Sequence, residues 1–415
     1  MSETREYVVV TDVMGTFGGT QAKGEADYKA AASAAEKLDG AVVETADLTP
    51  REARAIDNSP GKVVAPMMPT SLIVPMAKED GDNWVASSTS NAVPDRTGQP
   101  TEPAWGVTAT NADRSAFSGA GITVAILDTG IDRAHAAFAG MTNIVAKDFT
   151  GTGDGDDNGH GTHCAGTVFG RDCYGYRIGV ARGVDRALIG KVMDGDGRGG
   201  SSALFDGIFW AISNQAHVIS MSLGFDFPGF VARLVNETGL PVDLATSQAL
   251  VGFRQNLRAF DALMSYAKAQ SAMGAGPVVV AATGNESKAQ ISPRYRIDAS
   301  LPAAALEVIG IGAASQGGDR YRIAEFSNGS PLVCAPGVDV ISASAGGSLE
   351  SMSGTSMACP HAAGVAALWW EALRQSAGLA NAQSVAARLS TSARTGVFAA
   401  GFSRAEFGDG LVTAP

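Results

Sequence analysis

Gly121-Ile-Thr-Val-Ala-Ile-Leu127 runs directly into Asp128-Thr129-Gly130-Ile131-Asp132. The first seven residues show no alternation of polar and apolar side chains. Such a run reads as a strand buried on both faces, which suits a parallel sheet covered by helices rather than an antiparallel sheet with one wet face. Four more stretches share this character: Ala187-Leu-Ile-Gly-Lys-Val192, Val218-Ile-Ser-Met221, Pro277-Val-Val-Val-Ala-Ala282 and Val308-Ile-Gly-Ile-Gly312. Helical stretches separate them, so the expected class is α/β with a mostly parallel central sheet. In such sheets ligands sit beyond the carboxyl ends of the strands, and functional residues should follow the strands directly.

Three residue sets occupy those positions. Asp128 closes the first strand, and Asn285 follows another in Ala282-Thr-Gly-Asn285-Glu286. His160 lies in Asp157-Asn-Gly-His160-Gly-Thr-His163, between a Gly/Asp-rich loop and a helix. A fourth stretch, Ser353-Gly-Thr-Ser356-Met-Ala-Cys-Pro360-His361, leads into an alanine-rich helix. There a serine hydroxyl sits at a helix N-terminus, where free backbone N–H groups favour developing negative charge. Pro360 is expected in the first helical turn, where its missing N–H removes no bond. Taken singly, Asp128 reads as a strand-end cap, Asn285 as a turn residue and Ser356 as an N-cap. Together they supply an acid, a base, an amide donor and a nucleophile.

With these residues the chain resembles the subtilisin-like serine proteases from about Trp105 to its end. The resemblance rests on Val124-Ala-Ile-Leu-Asp-Thr-Gly-Ile-Asp132, Asn158-Gly-His-Gly-Thr-His-Cys-Ala-Gly166, Ile219-Ser-Met-Ser-Leu-Gly224, Ala281-Ala-Thr-Gly-Asn-Glu286 and Ser353-Gly-Thr-Ser-Met-Ala358. Their Asp–His–Ser order is that of subtilisin. The resemblance implies a three-layer fold and endopeptidase action through an acyl-enzyme. It implies Ser356 as nucleophile, His160 as base, Asp128 as its orienting acid and Asn285 as oxyanion donor. It further implies that Ser222, Leu223 and Gly224 form one wall of the substrate groove and that Gly197 and Gly199 form the facing edge. Cys164 resembles the thiol beside the catalytic histidine in the proteinase-K-like branch. The competing readings are a catalytically silent peptide-binding protein on the same fold and a Ser–Glu–Asp acid peptidase. The intact residue set argues against the first, and His160 with Asn285 against the second.

The same stretches bound the cofactors. His160 and His163 stand at ligand spacing, but no third His or Cys completes a zinc set, and His163 is assigned a structural hydrogen bond. Asp194-Gly-Asp196-Gly opens like a calcium loop but carries Phe205 at the twelfth position. Ala137 stands where relatives with a strong calcium site often carry an acid, and Asp154-Gly-Asp-Asp157 reads as a solvated loop. No cofactor is expected for catalysis, and no clear ligand set supports structural calcium. His135, His217 and His361 receive no role.

Net charge is −11 with 18% charged residues, and no basic run offers a phosphate-binding patch, so nucleic acid is excluded as a partner. Hydrophobic residues reach 45% and mean hydropathy is +0.06, enough for a large core. No apolar run is long enough for a signal peptide or a membrane span, so the chain as written is expected to be free of membrane and cytoplasmic, with export the alternative if a signal has been trimmed. Cys164, Cys173, Cys334 and Cys359 lack CxxC spacing and read as small buried hydrophobes.

Residues 1–78 read as a separate small α+β unit. Strands are expected at Tyr7–Thr11, Ala41–Thr45, Lys62–Met67 and Ser71–Val74, with a helix over Ala26–Leu38. Thr49-Pro-Arg-Glu52 should open another helix with a Thr cap, Pro at N1 and an acid in the first turn. By element order and position this unit resembles the family's propeptide, folding aid and inhibitor of its own protease; the alternative is a permanently attached accessory domain. Residues 79–104 read as a polar linker, and 105–415 as the peptidase domain. Self-processing is expected, with the chain from Ser71 to Lys78 lying in the groove and the cut falling between Pro75 and Pro103. The long segment 225–277, helical over Phe253–Ala269, is expected to border the P1 pocket.

Overall fold

A computed structural model describes residues 4–12, 33–38, 41–79, 83–87, 91–272, 276–377 and 380–415. The N-terminal unit is an antiparallel sheet of β1 (Arg5–Asp12), β2 (Ser33–Leu38), β3 (Ala41–Leu48) and β4 (Lys62–Pro66), in the order β2-β3-β1-β4. The unbroken Val8-Val9-Val10 run is explained by two covered faces. Tyr7 and Val9 pack with Leu48, Val64 and Ala53 of α1 (Pro50–Asp57) in one small core. Val8 and Val10 point the other way, into a cluster shared with the peptidase body. α1 starts as its sequence dictates. The Thr49 hydroxyl accepts from the Glu52 N–H, the Glu52 carboxylate accepts from the Thr49 N–H at 2.8 Å, and Pro50 follows the cap. The helix expected over Ala26–Leu38 falls partly outside the described residues, and its last six residues form β2 instead. Pairing of β2 with β3, Leu38 opposite Ala41, overrides the helix propensity of the Ala-rich stretch.

Beyond this unit the chain stays paired. β5 (Pro69–Leu72) lies between two strands of the body, and β6 (Met76–Glu79) and β7 (Asn83–Ala86) form a hairpin. β8 (Asn91–Ala92) joins the strand Ser348–Met352, and β9 (Glu102–Pro103) joins Tyr176–Arg177. The unit boundary expected at 78 therefore lies within β6, and the span expected as a linker pairs with the body at β8 and β9. Backbone hydrogen bonds hold its described strands, and although Trp84 and Val93 pack against the body, most of its other described side chains are exposed, which leaves no apolar periodicity to read.

The body comprises α2 (Trp105–Ala109), β10 (Thr123–Asp128), β11 (Asn143–Asp148), α3 (His160–Phe169), β12 (Tyr176–Arg177), β13 (Arg186–Lys191), β14 (Arg198–Gly200), α4 (Ser201–Ser213), β15 (Val218–Met221), β16 (Leu223–Phe225), α5 (Phe227–Thr238), α6 (Val242–Ala272), β17 (Val278–Ala282), β18 (Val308–Gly317), β19 (Arg320–Ile323), β20 (Val333–Pro336), β21 (Val340–Ser344), β22 (Ser348–Met352), α7 (Thr355–Ala377), α8 (Ala382–Thr391) and α9 (Arg404–Phe407). Its main sheet runs β11-β13-β10-β15-β17-β18-β19, with β20 also on β18, and every pair but β18–β19 is parallel. In β10, Val124 and Ile126 meet Val168 of α3 and Ala362 of α7, while Ala125 and Leu127 meet Phe205 and Phe209 of α4 and Phe260 of α6. Helices cover both faces, giving the three layers.

Two expectations need correction within the helices. α7 begins at Thr355, so Pro360 lies past the first turn. The intrahelical bond that it cannot donate would have gone to the Ser356 carbonyl. That carbonyl is instead met by the Ser222 hydroxyl at 2.9 Å and the Cys164 thiol at 3.5 Å. The segment 225–277 is a pair of helices longer than the expected Phe253–Ala269. Phe230, Leu234, Ala245 and Ala249 share a core with Met68 and Ala65 of the N-terminal segment, and the Asn256 side chain donates to the Pro66 carbonyl at 2.8 Å. Its contacts are made largely to the N-terminal unit.

Candidate active site

The parallel register carries the ends of β10, β15 and β17 to one edge of the sheet. Asp128 is the last residue of β10, and its Oδ1 lies 2.8 Å from His160 Nδ1, both side chains being fully buried. Close packing fixes the pair. Gly130 has φ +117°, and a Cβ on Gly161 would stand 2.3 Å from the Gly130 carbonyl oxygen, so the turn after Asp128 presses on the first turn of α3. The Thr129 N–H donates to Asp128 Oδ1 at 2.8 Å.

Asp156, given no individual role by sequence reasoning, organises this corner. Its Oδ1 accepts from the Thr129 hydroxyl and the Gly159 N–H, each at 2.8 Å, and its Oδ2 accepts from the Thr162 N–H and hydroxyl at 2.8 and 2.6 Å. A carboxylate at the start of α3 also meets the positive end of the helix. The available signal was an acid four residues before His160, hidden among two other acids. Of those, Asp154 pairs with Arg133 at 3.0 Å, and Asp157 lies 3.7 Å from the buried Lys191 ammonium. Ala137 is buried and apolar.

Burial opposes protonation of His160, but the charge and hydrogen bond of Asp128, with Asp156 and Glu350 behind it, outweigh burial and raise its pKa above the ordinary 6.5. His163 has the opposite balance. Burial and the neighbouring His160 push it down to about 3, and its Nε2 bonds the Val340 carbonyl at 3.0 Å. One histidine is thus poised to take a proton, and the other stays neutral.

Ser356 stands in the first turn of α7, where its N–H has no intrahelical acceptor. Asn285 faces it from beyond β17. Asn285 Oδ1 accepts from the Thr355 N–H and from the Thr355 hydroxyl, both at 2.9 Å, which turns the amide NH₂ into the site. Thr355 is a second residue that sequence reasoning passed over, although it sits inside the Gly-Thr-Ser motif.

The groove is filled by the chain itself. β5 pairs antiparallel with β14 on one side, Thr70 opposite Gly199, and with β16 on the other, Leu72 opposite Leu223 and Ser71 opposite Gly224. The Leu72 N–H donates to the Gly197 carbonyl at 2.9 Å, and the Ile73 N–H points at the Ser222 carbonyl at 3.5 Å. A Cβ on Gly197 would come within 2.6 Å of the Leu72 side chain, so close backbone approach is required there. Ser356 Oγ donates to the Ile73 carbonyl at 2.8 Å, and Asn285 Nδ2 donates to the Val74 carbonyl at the same distance. Ser356 thus meets the carbonyl of the Ile73–Val74 bond and Asn285 that of Val74–Pro75, both upstream of the 75–103 span.

Among the described residues, one group could gather around a metal ion: Asp128, His160 and Cys164, with ligand atoms within 4.8 Å of one another. The Cys164 sulfur lies 3.8 Å from His160 Nδ1, and burial followed by the Asp128 charge holds its pKa well above the usual thiol value. A thiol kept protonated in this way is a poor metal ligand, since the thiolate is the ligating form. No described helix is long and apolar enough to cross a membrane.

Comparison with known proteins matches this geometry. Residues 119–410 match the Subtilase family. Subtilisin BL of Lederbergia lenta is 33% identical over 268 residues, which cover 64% of this chain and 82% of that protein. M-protease of Shouchella clausii is 33% identical over 268 residues, covering 64% of this chain and 58% of its own. Subtilisin-like protease 2 of Pseudogymnoascus destructans is 36% identical over 259 residues, covering 60% of this chain and 52% of its own. The chain therefore spans little more than half the length of the last two. With its family match extending over well more than half the chain, this protein belongs to the subtilase family of serine endopeptidases.

Proposed function

We propose that Ser356, His160, Asp128 and Asn285 carry peptide-bond hydrolysis in this subtilase. The observation that bears most weight is a peptide segment lying between β14 and β16, with Ser356 Oγ on one of its carbonyls and the Asn285 amide on the next. A substrate would add a strand between the same two edges, bound by Gly197 and Gly199 on one side and by Ser222, Leu223 and Gly224 on the other.

Ser356 Oγ attacks the carbonyl carbon while His160 Nε2 takes its proton. Asp128 holds the ring with Nδ1–H directed at its carboxylate and stabilises the imidazolium that forms. The oxyanion receives the Asn285 amide and the N–H groups at the start of α7. His160 then protonates the leaving nitrogen, and water, activated by the same imidazole, releases the acyl group. The chemistry uses side chains and backbone alone and calls for no cofactor.

The N-terminal unit acts in this reading as an inhibitor that the peptidase itself cuts free. Support comes from its shared core with α4 and α6 and from β5 in the groove. The test is hydrolysis of an added peptide by the full chain and by Ser356→Ala and His160→Ala. Each variant should lose about 10⁶ in turnover, the loss known for subtilisin itself. Undiminished hydrolysis in either variant would refute the assignment, and peptide binding without any turnover by the wild type would favour a silent binder.

A further inference from the structure

We propose that Ile73-Val74-Pro75 keeps the intact chain in an off state by crossing the site one residue out of register, with Pro75 as the positioning residue that holds it there. The inference rests on the roles proposed above for Ser356, His160 and Asn285. A bond about to be cut has one carbonyl, whose carbon meets the nucleophile and whose oxygen meets the oxyanion donor. Here two successive carbonyls divide those partners. Counted from the groove, Leu72 pairs with Leu223, the Ile73 N–H faces the Ser222 carbonyl, and Ser356 Oγ donates to the Ile73 carbonyl. That count selects the Ile73–Val74 bond. Counted from the other side, Asn285 holds the Val74 carbonyl and the Met76 N–H donates to the Ser353 carbonyl at 2.7 Å. That count selects Val74–Pro75.

The nucleophile suffers from the same mismatch. Its hydroxyl proton is given to the Ile73 carbonyl, and His160 Nε2, the atom that must take that proton, is buried without a hydrogen-bond partner among the described residues. The carboxylate–imidazole half of the machinery is assembled, but the serine is turned away from it.

Both routes back into register are obstructed. Sliding β5 forward by one residue would exchange its two faces. Leu72 and Thr70, buried against Gly197 and Gly199, would trade places with half-buried Ser71 and Pro69. Drawing the far side back instead requires movement at Pro75. Its ring fixes φ, confines Val74 to extended conformations and leaves no N–H on the nitrogen that the second count makes the leaving group. The Pro75 carbonyl also accepts from the Ser87 N–H at 2.9 Å, at the foot of the β6–β7 hairpin. Trp84 of that hairpin packs edge-on against Phe326 at 4.9 Å between ring centroids. The two anchors thus hold one residue more between them than a substrate would.

Pro75 is half-buried, so its replacement leaves the core untouched. The experiment follows self-cleavage of purified full-length wild type, Pro75→Ala and Pro75→Gly by intact mass and N-terminal sequencing, each also in a Ser356→Ala background. Both variants should be cut at least about tenfold faster than wild type, with the cut moved to the bond after Val74. A shifted cut is a readout that general loosening of the segment would not give. Variants cut at the wild-type rate and bond overturn the inference while leaving the endopeptidase reading in place. Wild type that is cut as fast as the variants overturns it equally. Cutting that persists in the Ser356→Ala background overturns the endopeptidase reading itself.

Discussion

Replacing Asn285 with Leu removes the proposed oxyanion donor at nearly constant volume, and the surroundings set what else is lost. Asn285 Nδ2 stands 2.8 Å from a carbonyl in the groove, within the 2.7–3.1 Å range that oxyanion donors occupy. Loss of one such donor costs about 10²–10³ in kcat, or roughly 2.7–4 kcal/mol, a range known from subtilisin itself. KM should hardly move, because the bond strengthens as negative charge develops. The same substitution strands the Thr355 N–H and hydroxyl, both now bonded to Asn285 Oδ1 in a buried setting. An unsatisfied buried donor costs about 1–3 kcal/mol, so melting temperature should fall along with turnover. The two losses separate with Thr355→Val, which keeps the amide but removes its side-chain hydrogen-bond donor. That variant should lower kcat by about tenfold, less than Asn285→Leu, because the amide is present but less well aimed. The assay is steady-state hydrolysis of a peptide substrate, normalised by active-site titration to exclude unfolded protein. Asn285→Leu with wild-type kcat, or with its whole loss in KM, would refute the reasoning.

Mercurial reagents should inhibit the wild type through Cys164, 3.8 Å from His160 Nδ1, and spare Cys164→Ser; equal sensitivity would assign the effect to another cysteine. Because the pKa of His160 is raised, the acid limb of kcat/KM should have its midpoint above pH 6.5, and Asp128→Asn should lower kcat about 10⁴-fold; a limb below 6.5 in wild type would contradict the coupling. Asp206 of α4 is raised to about 6, by burial first and then by Glu6 of the N-terminal unit, against the pull of Lys147. A raised acid favours the folded form below its unfolded pKa and loses that contribution as pH rises through the folded value, so stability should fall between about pH 4 and 6, by roughly 2 kcal/mol after allowing for residual solvent exposure. Thermal melts of the Ser356→Ala chain should show this slope, and Asp206→Asn should flatten it; an unchanged slope would exclude Asp206. Asn256→Ala should weaken docking of the N-terminal unit by about 1–2 kcal/mol through loss of the bond to the Pro66 carbonyl, whereas the exposed Arg258–Asp57 pair should contribute little. Both are measured by denaturant titration of the same uncut chain, and the reverse ranking would contradict the interface described here.

The parallel sheet was legible because its strands carry apolar runs without alternation and place Asp128 and Asn285 at their ends. Burial on both faces leaves no other composition workable. The site residues were legible as separate motifs, while the contacts between them were not, since Asp128 and His160 meet only through the packing of Gly130 on Gly161. Asp156 and Thr355 escaped notice because they act on backbone N–H groups and on another side chain, and acids or hydroxyls in loops usually do only local capping. The strap from Met76 to Pro103 was hidden because edge pairing is a backbone property, and polar side chains are what an exposed edge carries. The Ala26–Leu38 reading failed over its last six residues because β pairing in the N-terminal unit is decided by tertiary neighbours rather than by propensity. Pro360 was misplaced by one turn for a related reason: Ser222, distant in sequence, bonds the carbonyl that the proline leaves free.

The central claim is that Ser356 is the nucleophile driven by His160. Its most direct test is peptide mapping of the full chain after it has begun to hydrolyse an added peptide and has been treated with a fluorophosphonate. The account predicts a single adduct on the peptide containing Ser356, absent from His160→Ala under the same conditions. An adduct on any other serine, or equal labelling of the His160→Ala chain, would contradict it.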